Sequence, residues 1–313
     1  MKGSRNKVCV ILGPTATKKS KLAVWLAEKI DGEIVSADSM QIYKEMNIAT
    51  AKIEEKEKKN IKHYMLDFLE IEKEFSVAQY VEMAKKIIEE ILKKNKKPII
   101  VGGTGLYIDC LLFGTNFKSD VKNLELREKL EEELKNNGAD FMFEKLKKKD
   151  PEYAKKIHKN NTKRVLRAIE ILTLTNKSIE EYIKENNEKE ESFNSLKIGL
   201  NYKDRNILYK NINNRVDLMI KKGLLEEAKK IISKNPSKTA MQAIGYKELK
   251  KYFNNEITLE EAIFKIKQNS TRYAKRQLTW FRKDKKVHWF FWDEKEDFLI
   301  KDEILNLAKN FFK

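Results

Sequence analysis

Eight consecutive residues near the amino terminus have the composition of a loop that binds phosphate. A β-branched run before them predicts a strand, and the residues after them carry apolar side chains at helical spacing. In the pattern G-x-x-x-x-G-K-[ST], backbone N–H groups surround phosphate oxygens, the lysine supplies charge and the hydroxyl holds Mg²⁺. The loop consists of Gly13, Pro14, Thr15, Ala16, Thr17, Lys18, Lys19 and Ser20. We therefore expect a phosphate site with Lys19 as its cation and Ser20 as a ligand of Mg²⁺.

One position of this loop departs from the pattern, because Lys18 stands where the second glycine is expected. That glycine commonly gives the backbone its freedom and lets it approach a ligand closely. A lysine at this point can strain the loop or partly close it, or its ammonium group can supplement Lys19 at the phosphate. A loop that merely caps the following helix is the alternative interpretation.

Two other predicted strands also end in residues suited to chemistry. Asp38 follows the second strand, and Thr104 follows the third inside the turn Gly102–Gly105. Ligands of open α/β sheets bind at the carboxyl ends of the strands, so we expect the phosphate loop, a carboxylate and a hydroxyl to share one crevice. A single aspartate at such a position is more often a helix cap than a general base.

Strand and helix alternate over the first hundred residues, which predicts a parallel sheet with right-handed crossovers. The predicted strands are Lys7–Leu12, Glu33–Ser36 and Pro98–Val101, and the predicted helices are Ser20–Ile30 and Ser76–Lys94. The fold class is therefore α/β, with a P-loop-type sheet flanked by helices.

The pattern becomes helical and heavily charged over residues 116–192, which predicts an inserted helical domain. Residues 1–115 then form the first part of the core, and residues 193–313 return to it. Leu196–Asn201 and Lys286–Trp292 are the strands expected in this return. The expected helices are Asn206–Ser233, Thr239–Phe253, Leu259–Arg282 and Phe298–Phe312.

Composition limits the class of protein. The chain of 313 residues has 65 basic and 48 acidic side chains, a net charge of +17, and 41% hydrophobic residues. Fibrous and wholly disordered chains have other compositions. Two cysteines, Cys9 and Cys110, lack CxxC spacing, which argues against a disulfide scaffold or zinc site. No apolar run is long enough to span a bilayer, so we expect a soluble cytoplasmic protein, and without heptads or repeats a monomer.

Five ordered motifs together resemble the tRNA dimethylallyltransferase family, from about Val8 to His288. The motifs are Gly13–Ala16, Asp38–Tyr43, Pro98–Ile108, Gln242–Glu248 and Thr271–Arg282. The resemblance implies transfer of a dimethylallyl group from dimethylallyl diphosphate to an adenine of the tRNA anticodon stem-loop. The acceptor is the exocyclic amine of the adenine that follows the anticodon on its 3′ side.

The resemblance also implies roles for the residues at the strand ends. Asp38 is the general base, and Thr104 helps to fix the target base and Asp38. Ser39, Met40 and Gln41 lie where the family contacts a nucleotide that has left the loop stack. For Met40, ordinary core packing is an equal alternative. The phosphate loop with Mg²⁺ then holds the departing diphosphate.

Contacts to the tRNA backbone are expected from basic residues and from one helix start. Phosphate can approach the helix that begins at Thr162, and Arg272 and Arg276 share one face of a later helix with Thr279 and Lys283. By similarity, the tRNA contacts are Arg127, Thr162, Lys163, Arg164, Val165, Leu166, Arg167, Gln242, Gly245, Arg272 and Arg276. Arg205 and Arg215 reach the diphosphate or, as an equal alternative, pair with a carboxylate in their own helix.

Several segments depart from the family's motifs. The family's Gly-Thr-Ala-Lys-Pro is replaced by Ala49–Ile53, its paired histidines by His63-Tyr64, and its His-Pro-Asn-Asp by His158–Asn161. Two alternatives to an active prenyltransferase therefore stay open. One is a diverged tRNA-binding paralogue with weakened donor binding, and the other is a small-molecule P-loop kinase.

Overall fold

The computed structural model describes residues 5–114, 123–187 and 191–313. The chain divides into two compact units, one formed by residues 1–112 and 192–313 and the other by residues 113–191. The first unit is an α/β structure and the second is helical.

Within the described residues, six strands form one sheet in the order β3-β2-β4-β1-β5-β6, and every pairing is parallel. The strands are β1 (Lys7–Leu12), β2 (Gly32–Ala37), β3 (His63–Tyr64), β4 (Lys97–Gly102), β5 (Asn194–Asn201) and β6 (Val287–Phe291). The predicted parallel sheet is thus confirmed, including both strands of the return. Strand β3 was not predicted, because its two residues carry no periodicity.

Helices occur in both units of the described chain. In chain order they are α1 (Lys19–Ile30), α2 (Glu55–Lys58), α3 (Val77–Lys93), α4 (Gly105–Phe113), α5 (Leu124–Lys149), α6 (Pro151–Ala154), α7 (Thr162–Thr175), α8 (Ile179–Asn187), α9 (Arg205–Lys221), α10 (Leu224–Ser233), α11 (Tyr246–Phe253), α12 (Leu259–Phe281) and α13 (Asp297–Phe312). No helix of this described part is long and apolar enough to cross a membrane.

The core of the first unit follows from the sequence patterns. The central strand β1 is apolar from Val8 to Leu12 and fully covered, as expected for a strand with neighbours on both sides. Helix α1 buries Leu22 and Leu26 against the sheet. Each such leucine contributes about 1.5–3 kcal/mol by leaving water. Both thiols, Cys9 and Cys110, are buried in this unit.

Two of the predicted helices are broken in the structure. The expected helix Asn206–Ser233 is two helices, because α9 ends at Lys221 and α10 begins at Leu224. Gly223 between them has a φ of 96°, a left-handed conformation that suits glycine. The expected helix Thr239–Phe253 starts as a short 3-10 helix, Ala240–Gln242, and continues as α11 only after Gly245.

The second unit has its own core among α5, α7 and α8. Apolar side chains such as Met142 and Ile169 meet there. Asp150 ties two of its helices together, since Oδ1 accepts a hydrogen bond from the Tyr153 N–H and Oδ2 accepts one from the Ile179 N–H. Part of the predicted insertion, residues 116–122 and 188–190, lies outside the described residues.

Candidate active site

The phosphate loop runs from the end of β1 to the start of α1 and is tied internally. Lys19 Nζ donates a hydrogen bond to Pro14 O at 2.6 Å, and Thr17 Oγ1 donates to the same oxygen at 2.8 Å. Thr17 is fully buried, whereas Ser20 in the first turn of α1 is exposed. Because the amino terminus of α1 carries partial positive charge, the loop can attract an anion.

Lys18 has a left-handed backbone conformation, which glycine adopts more readily than other residues. Its φ is 61° and its ψ is 19°, the left-handed region. This region costs a residue with a Cβ about 1–2 kcal/mol. The Lys18 ammonium group lies 3.1 Å from Asp297 Oδ2, in the first turn of α13. The loop therefore has glycine-like geometry at this point, and the lysine side chain has a partner on another element.

Charges of both signs meet behind the loop. Burial, together with the nearby Arg215 guanidinium, lowers the pKa of Lys19 to about 7, while Asp38 acts in the opposite direction. The pKa of Arg215 is also lowered, chiefly by burial. Two partly buried basic groups thus lie near one carboxylate. An anionic ligand would relieve this excess of positive charge.

Asp38 caps the turn that follows β2, the first of the two roles that its sequence position allows. Its Oδ1 accepts hydrogen bonds from the Met40 N–H at 2.9 Å and from the Gln41 N–H at 3.3 Å, so it caps the turn after β2. Among the described residues none donates a hydrogen bond to Asp38 Oδ2. The cap fixes the carboxylate while one oxygen stays open to a proton.

Thr104 is connected to the same turn. Its Oγ1 accepts a hydrogen bond from the Ser39 N–H at 3.1 Å, so it holds the residue that follows Asp38. Tyr273 of α12 lies beside this pair. Burial and the Asp38 charge raise the pKa of its phenol to about 12, against hydrogen bonds with Thr104 and Gln277. Tyr273 is therefore a neutral hydrogen-bonding group at physiological pH.

Gln277 joins two of the strand ends, and the sequence analysis did not single it out. Its Oε1 accepts a hydrogen bond from the Thr15 N–H, and its Nε2 donates to Gly103 O, both at 2.9 Å. A Cβ on Gly103 would come within 2.2 Å of Nε2, so only glycine allows this approach. The resemblance placed Gln277 inside a motif, but only the fold shows what it contacts.

One cavity of about 700 Å³ brings these groups together. Its wall includes the loop from Thr15 to Lys21, the turn Asp38–Gln41, and Arg215 of α9. Further wall residues are Gln242, Arg276 and Gln277. The expectation that three strand ends share one crevice is confirmed for the loop, Asp38 and Gly103, while Thr104 lies just behind the wall and acts through Ser39.

Met40 and Gln41 both line this cavity. Met40 also packs against the apolar cluster around Tyr43 and Tyr246, as the core-packing interpretation expects. Gln41 is oriented by a hydrogen bond from Nε2 to Thr50 O at 3.1 Å. This bond connects the cavity to the segment Ala49–Ile53.

The family model for IPP transferases matches residues 41–284 of this chain. A tRNA dimethylallyltransferase of Halothermothrix orenii is 49% identical over 304 residues, covering 96% of this chain and 92% of that protein. A tRNA dimethylallyltransferase of Bacillus subtilis is 45% identical, and the match covers 93% of this chain and 92% of that protein. The chain belongs to the IPP transferase family. The resemblance inferred from the five motifs is thereby confirmed.

Solved structures of IPP transferases have the same fold. A tRNA isopentenylpyrophosphate transferase from Bacillus halodurans superposes with a TM-score of 0.75 and 40% identity, covering 98% of this chain and 97% of that one. A eukaryotic dimethylallyltransferase acting on tRNA gives a TM-score of 0.82 at 29% identity, and the match covers 97% of this chain and 80% of that one. The P-loop-type α/β fold class is confirmed.

Not every residue predicted for the IPP transferase site lies at the cavity. Arg215 lines it, but Arg205 is exposed at the first residue of α9 and does not. Ten residues of helix separate the two arginines by about 15 Å along α9, so the cavity wall includes only one of them. Arg272 and Gly245 are also outside the wall, and Arg272 is exposed on α12.

The predicted RNA contacts of the second unit fall into exposed and buried groups. Helix α7 begins at Thr162 as expected, and Lys163 and Arg164 are exposed in its first turn. Val165 and Leu166 are buried in the core of this unit, so for their side chains the expectation of RNA contact is wrong. The helical spacing that carries the basic pair to the surface turns the next two residues inward.

Arg127 and Arg167 share one buried partner in the second unit. Each places an NH1 group 3.1 Å from a different oxygen of Glu170, and Arg127 also pairs with Glu131 at 2.8 Å. Glu170 is only 6% exposed. Because both guanidinium groups are partly exposed, the carboxylate orients them without hiding them.

Glu227 of α10 does not line the cavity, but it contacts the segment that reaches the wall at Ala49, and the sequence patterns did not identify it. Its Oε2 accepts hydrogen bonds from the Asn47 and Ile48 N–H groups at 2.9 and 2.8 Å. Its Oε1 accepts one from the Ala49 N–H at 2.9 Å and one from the Tyr246 hydroxyl at 2.8 Å. This single carboxylate fixes the start of the segment that orients Gln41.

Proposed function

We propose that this chain transfers a dimethylallyl group from dimethylallyl diphosphate to tRNA. The acceptor is the exocyclic amine of the adenine that follows the anticodon on its 3′ side. The observation that carries the proposal is the single cavity whose wall includes both the phosphate loop and Asp38. The relatives named as tRNA dimethylallyltransferases, with about half of their residues identical, support the same reaction.

The diphosphate fits the loop end of the cavity. Lys19 and Arg215 supply positive charge there, and the start of α1 adds backbone N–H groups. Stabilising the departing diphosphate is the main electrostatic demand of the reaction, because negative charge develops on it as the C–O bond breaks. Positively charged groups held out of water meet that demand better than exposed ones.

The residues present fit a Mg²⁺ ion that arrives with its substrate. No cluster of three or more acidic, histidine or cysteine side chains that suits a metal occurs in the described residues, so the protein offers no complete cage. Mg²⁺ commonly binds through few protein groups together with phosphate oxygens and water. The exposed Ser20 hydroxyl lines the cavity and would hold the ion. The bound ion would neutralise part of the diphosphate charge.

On the acceptor side of the reaction, Asp38 takes the proton of the adenine amine. The adenine amine forms a new N–C bond as the C–O bond to diphosphate breaks, and the N–H proton passes to Asp38 Oδ2. An adenine amine is a weak nucleophile, so a base in reach raises the rate by a factor of about 10²–10⁴. The hydrogen bonds to Oδ1 keep the carboxylate in place during the transfer.

The tRNA must present its base in the cavity, which requires the base to leave the stack of the anticodon loop. Unstacking costs a few kcal/mol, about the amount that contacts in a pocket return. Gln41, Gln242 and Arg276 on the wall are the polar groups suited to hold the base and its phosphates. The exposed Arg164, Arg272 and partly exposed Arg127 and Arg167 would bind the backbone. We further propose that the protein acts as a cytoplasmic monomer.

The test uses Asp38→Asn rather than alanine, because asparagine keeps an oxygen that caps the turn. Purified protein is incubated with dimethylallyl diphosphate, Mg²⁺ and unmodified tRNA, and the nucleosides are analysed by mass. We expect a dimethylallylated adenosine with the wild type, and a rate lower by about 10²–10⁴ with Asp38→Asn. Binding of Mg²⁺-pyrophosphate and of tRNA should stay within about twofold.

Other results would identify the alternatives. tRNA binding with no product and no pyrophosphate binding would contradict the proposal and indicate a binding paralogue. Consumption of ATP with a small-molecule acceptor would indicate a kinase instead. An unchanged rate for Asp38→Asn would leave the transfer established and remove Asp38 from the role of base.

A further inference from the structure

Lys18 replaces the second glycine of the phosphate-loop pattern. Lys18 keeps the left-handed backbone, φ 61° and ψ 19°, although lysine has the Cβ that disfavours it. Such a conformation persists only where neighbouring groups hold it. The question is therefore which groups hold Lys18, and what would follow if they were removed.

Two residues beyond β6 contact the loop at Thr17 and Lys18. Asp297 Oδ2 lies 3.1 Å from Lys18 Nζ. The ring of Trp292 lies 5.1 Å below the same ammonium group, within the range of a cation–π interaction. Trp292 Nε1 donates a hydrogen bond to Thr17 O at 2.9 Å, and the Trp292 side chain is buried. We call Lys18, Trp292 and Asp297 the loop clamp.

We propose that Trp292 and Asp297 are positioning residues that hold the phosphate loop in the shape its missing glycine would otherwise allow. The proposal rests on the proposed function for its ligand, a diphosphate. Trp292 fixes the carbonyl of Thr17, and Asp297 draws the Lys18 side chain toward α13. The backbone N–H groups around Lys18 then keep the arrangement that surrounds phosphate oxygens.

If the loop clamp holds the loop, the effect of Asp297 on the loop depends on which residue stands at position 18. A contact that only stabilises the fold would act independently of that residue. Glycine at position 18 adopts the left-handed conformation without a Cβ penalty and has no side chain to hold. Removing Asp297 should therefore impair the loop when residue 18 is lysine and have no effect when it is glycine. Lys18→Gly is therefore the reference background in which the effect of Asp297 is measured, since glycine can take the same backbone conformation.

The first measurement is titration calorimetry with Mg²⁺-pyrophosphate. Asp297→Asn should weaken binding about two- to fivefold, because the ion pair is half exposed and such pairs are weak. Trp292→Phe keeps an aromatic ring but loses the buried donor to Thr17 O, and should weaken binding about five- to tenfold. Asp302→Asn removes an exposed carboxylate of the same helix and serves as the matched control. The double variant Lys18→Gly/Asp297→Asn should bind as Lys18→Gly does.

The second measurement needs no ligand. Hydrogen–deuterium exchange of the amides from Thr15 to Ser20 should be faster in Asp297→Asn than in the wild type or in Asp302→Asn. In the Lys18→Gly background the same substitution should not change the exchange. Melting temperatures of all variants show whether a loss is local or global.

Three results would overturn the loop clamp. One is equal behaviour of Asp297→Asn and Asp302→Asn in both measurements. Another is a defect of Asp297→Asn that persists in the Lys18→Gly background. The third is a large gain of pyrophosphate affinity in Lys18→Gly, which would mean that the lysine obstructs the site. Wild-type protein that binds no pyrophosphate would contradict the proposed function, and the exchange pattern would then decide the clamp alone.

Discussion

Among single residues, Lys19 is the group whose protonation bears most directly on donor binding. Burial and Arg215 lower its pKa from 10.5 to about 7, with Asp38 opposing them. The ammonium form therefore dominates below pH 7 and the neutral amine above it. Diphosphate attracts the charged form, so we expect Mg²⁺-pyrophosphate affinity to fall between pH 7 and 9. Binding at pH 8 should take up protons as the ligand raises the pKa of Lys19.

Calorimetry at pH 8 in two buffers of different ionisation enthalpy measures this uptake. Lys19→Arg carries a charge at every pH in this range, and Lys19→Met carries none, so both variants should take up fewer protons than the wild type. The protons taken up by pyrophosphate itself are common to all three proteins and cancel. Equal uptake in all three would assign the linked proton to another group.

The residues of the site differ in how well the sequence shows them. The phosphate loop, Asp38 and Thr104 each follow a predicted strand, so their shared edge could be inferred from local patterns. Gln277 and Thr15, which are in contact, lie 262 positions apart in the sequence. Glu227 and Asn47 lie 180 positions apart. A glutamine or glutamate within an amphipathic helix resembles any solvated polar residue. Only the packing of the helices identifies these two.

At the scale of elements, the contact between α10 and the Asn47–Ala49 segment makes a prediction about stability. Glu227→Gln removes the charge and turns an amide NH₂ toward backbone N–H groups that need an acceptor. Losing charged hydrogen bonds of this kind costs about 1.5–3 kcal/mol. We expect the free energy of unfolding to fall by about 2 kcal/mol, as measured by urea denaturation.

The neighbouring Glu226→Gln is the matched control, since Glu226 is exposed in the same first turn of α10. Its effect should stay within about 0.5 kcal/mol. Glu227→Gln should also raise the KM for tRNA, because the fixed segment carries the Thr50 carbonyl that orients Gln41. Equal unfolding energies for the two variants would show that Glu227 does not anchor the segment.

Helices and strands were predicted most accurately where many consecutive residues follow one apolar pattern. The twenty-three residues of α12 follow one amphipathic pattern, and the expected helix Leu259–Arg282 matches them almost to the residue. The break between α9 and α10 was not predicted, because the apolar spacing continues through Gly223. The backbone of Gly223 nevertheless has a positive φ, which ends the first helix. Periodicity reports which side faces the core, and it does not report a change of direction between two helices that share that core.

At the scale of the whole molecule, the placement of the arginines is more informative about tRNA binding than the net charge of +17. Many lysines are paired at the surface, for example Lys86 with Glu82 and Lys222 with Glu54. The exposed face of α12 instead carries Arg272 and Arg276, the second also on the cavity wall. If this face meets tRNA phosphates, the salt dependence of binding should depend on those two residues and not on total charge.

The double variant Arg272→Gln/Arg276→Gln tests this against a variant of equal charge, Lys229→Gln/Lys309→Gln, whose lysines are exposed on α10 and α13. Each phosphate contact contributes about 0.7–0.9 to the slope of log affinity against log salt. The arginine variant should therefore lose about 1.4–1.8 of slope, while the lysine variant keeps the wild-type slope. Equal losses would mean that the chain attracts tRNA through its overall field, since net charge is then the only property the two variants share.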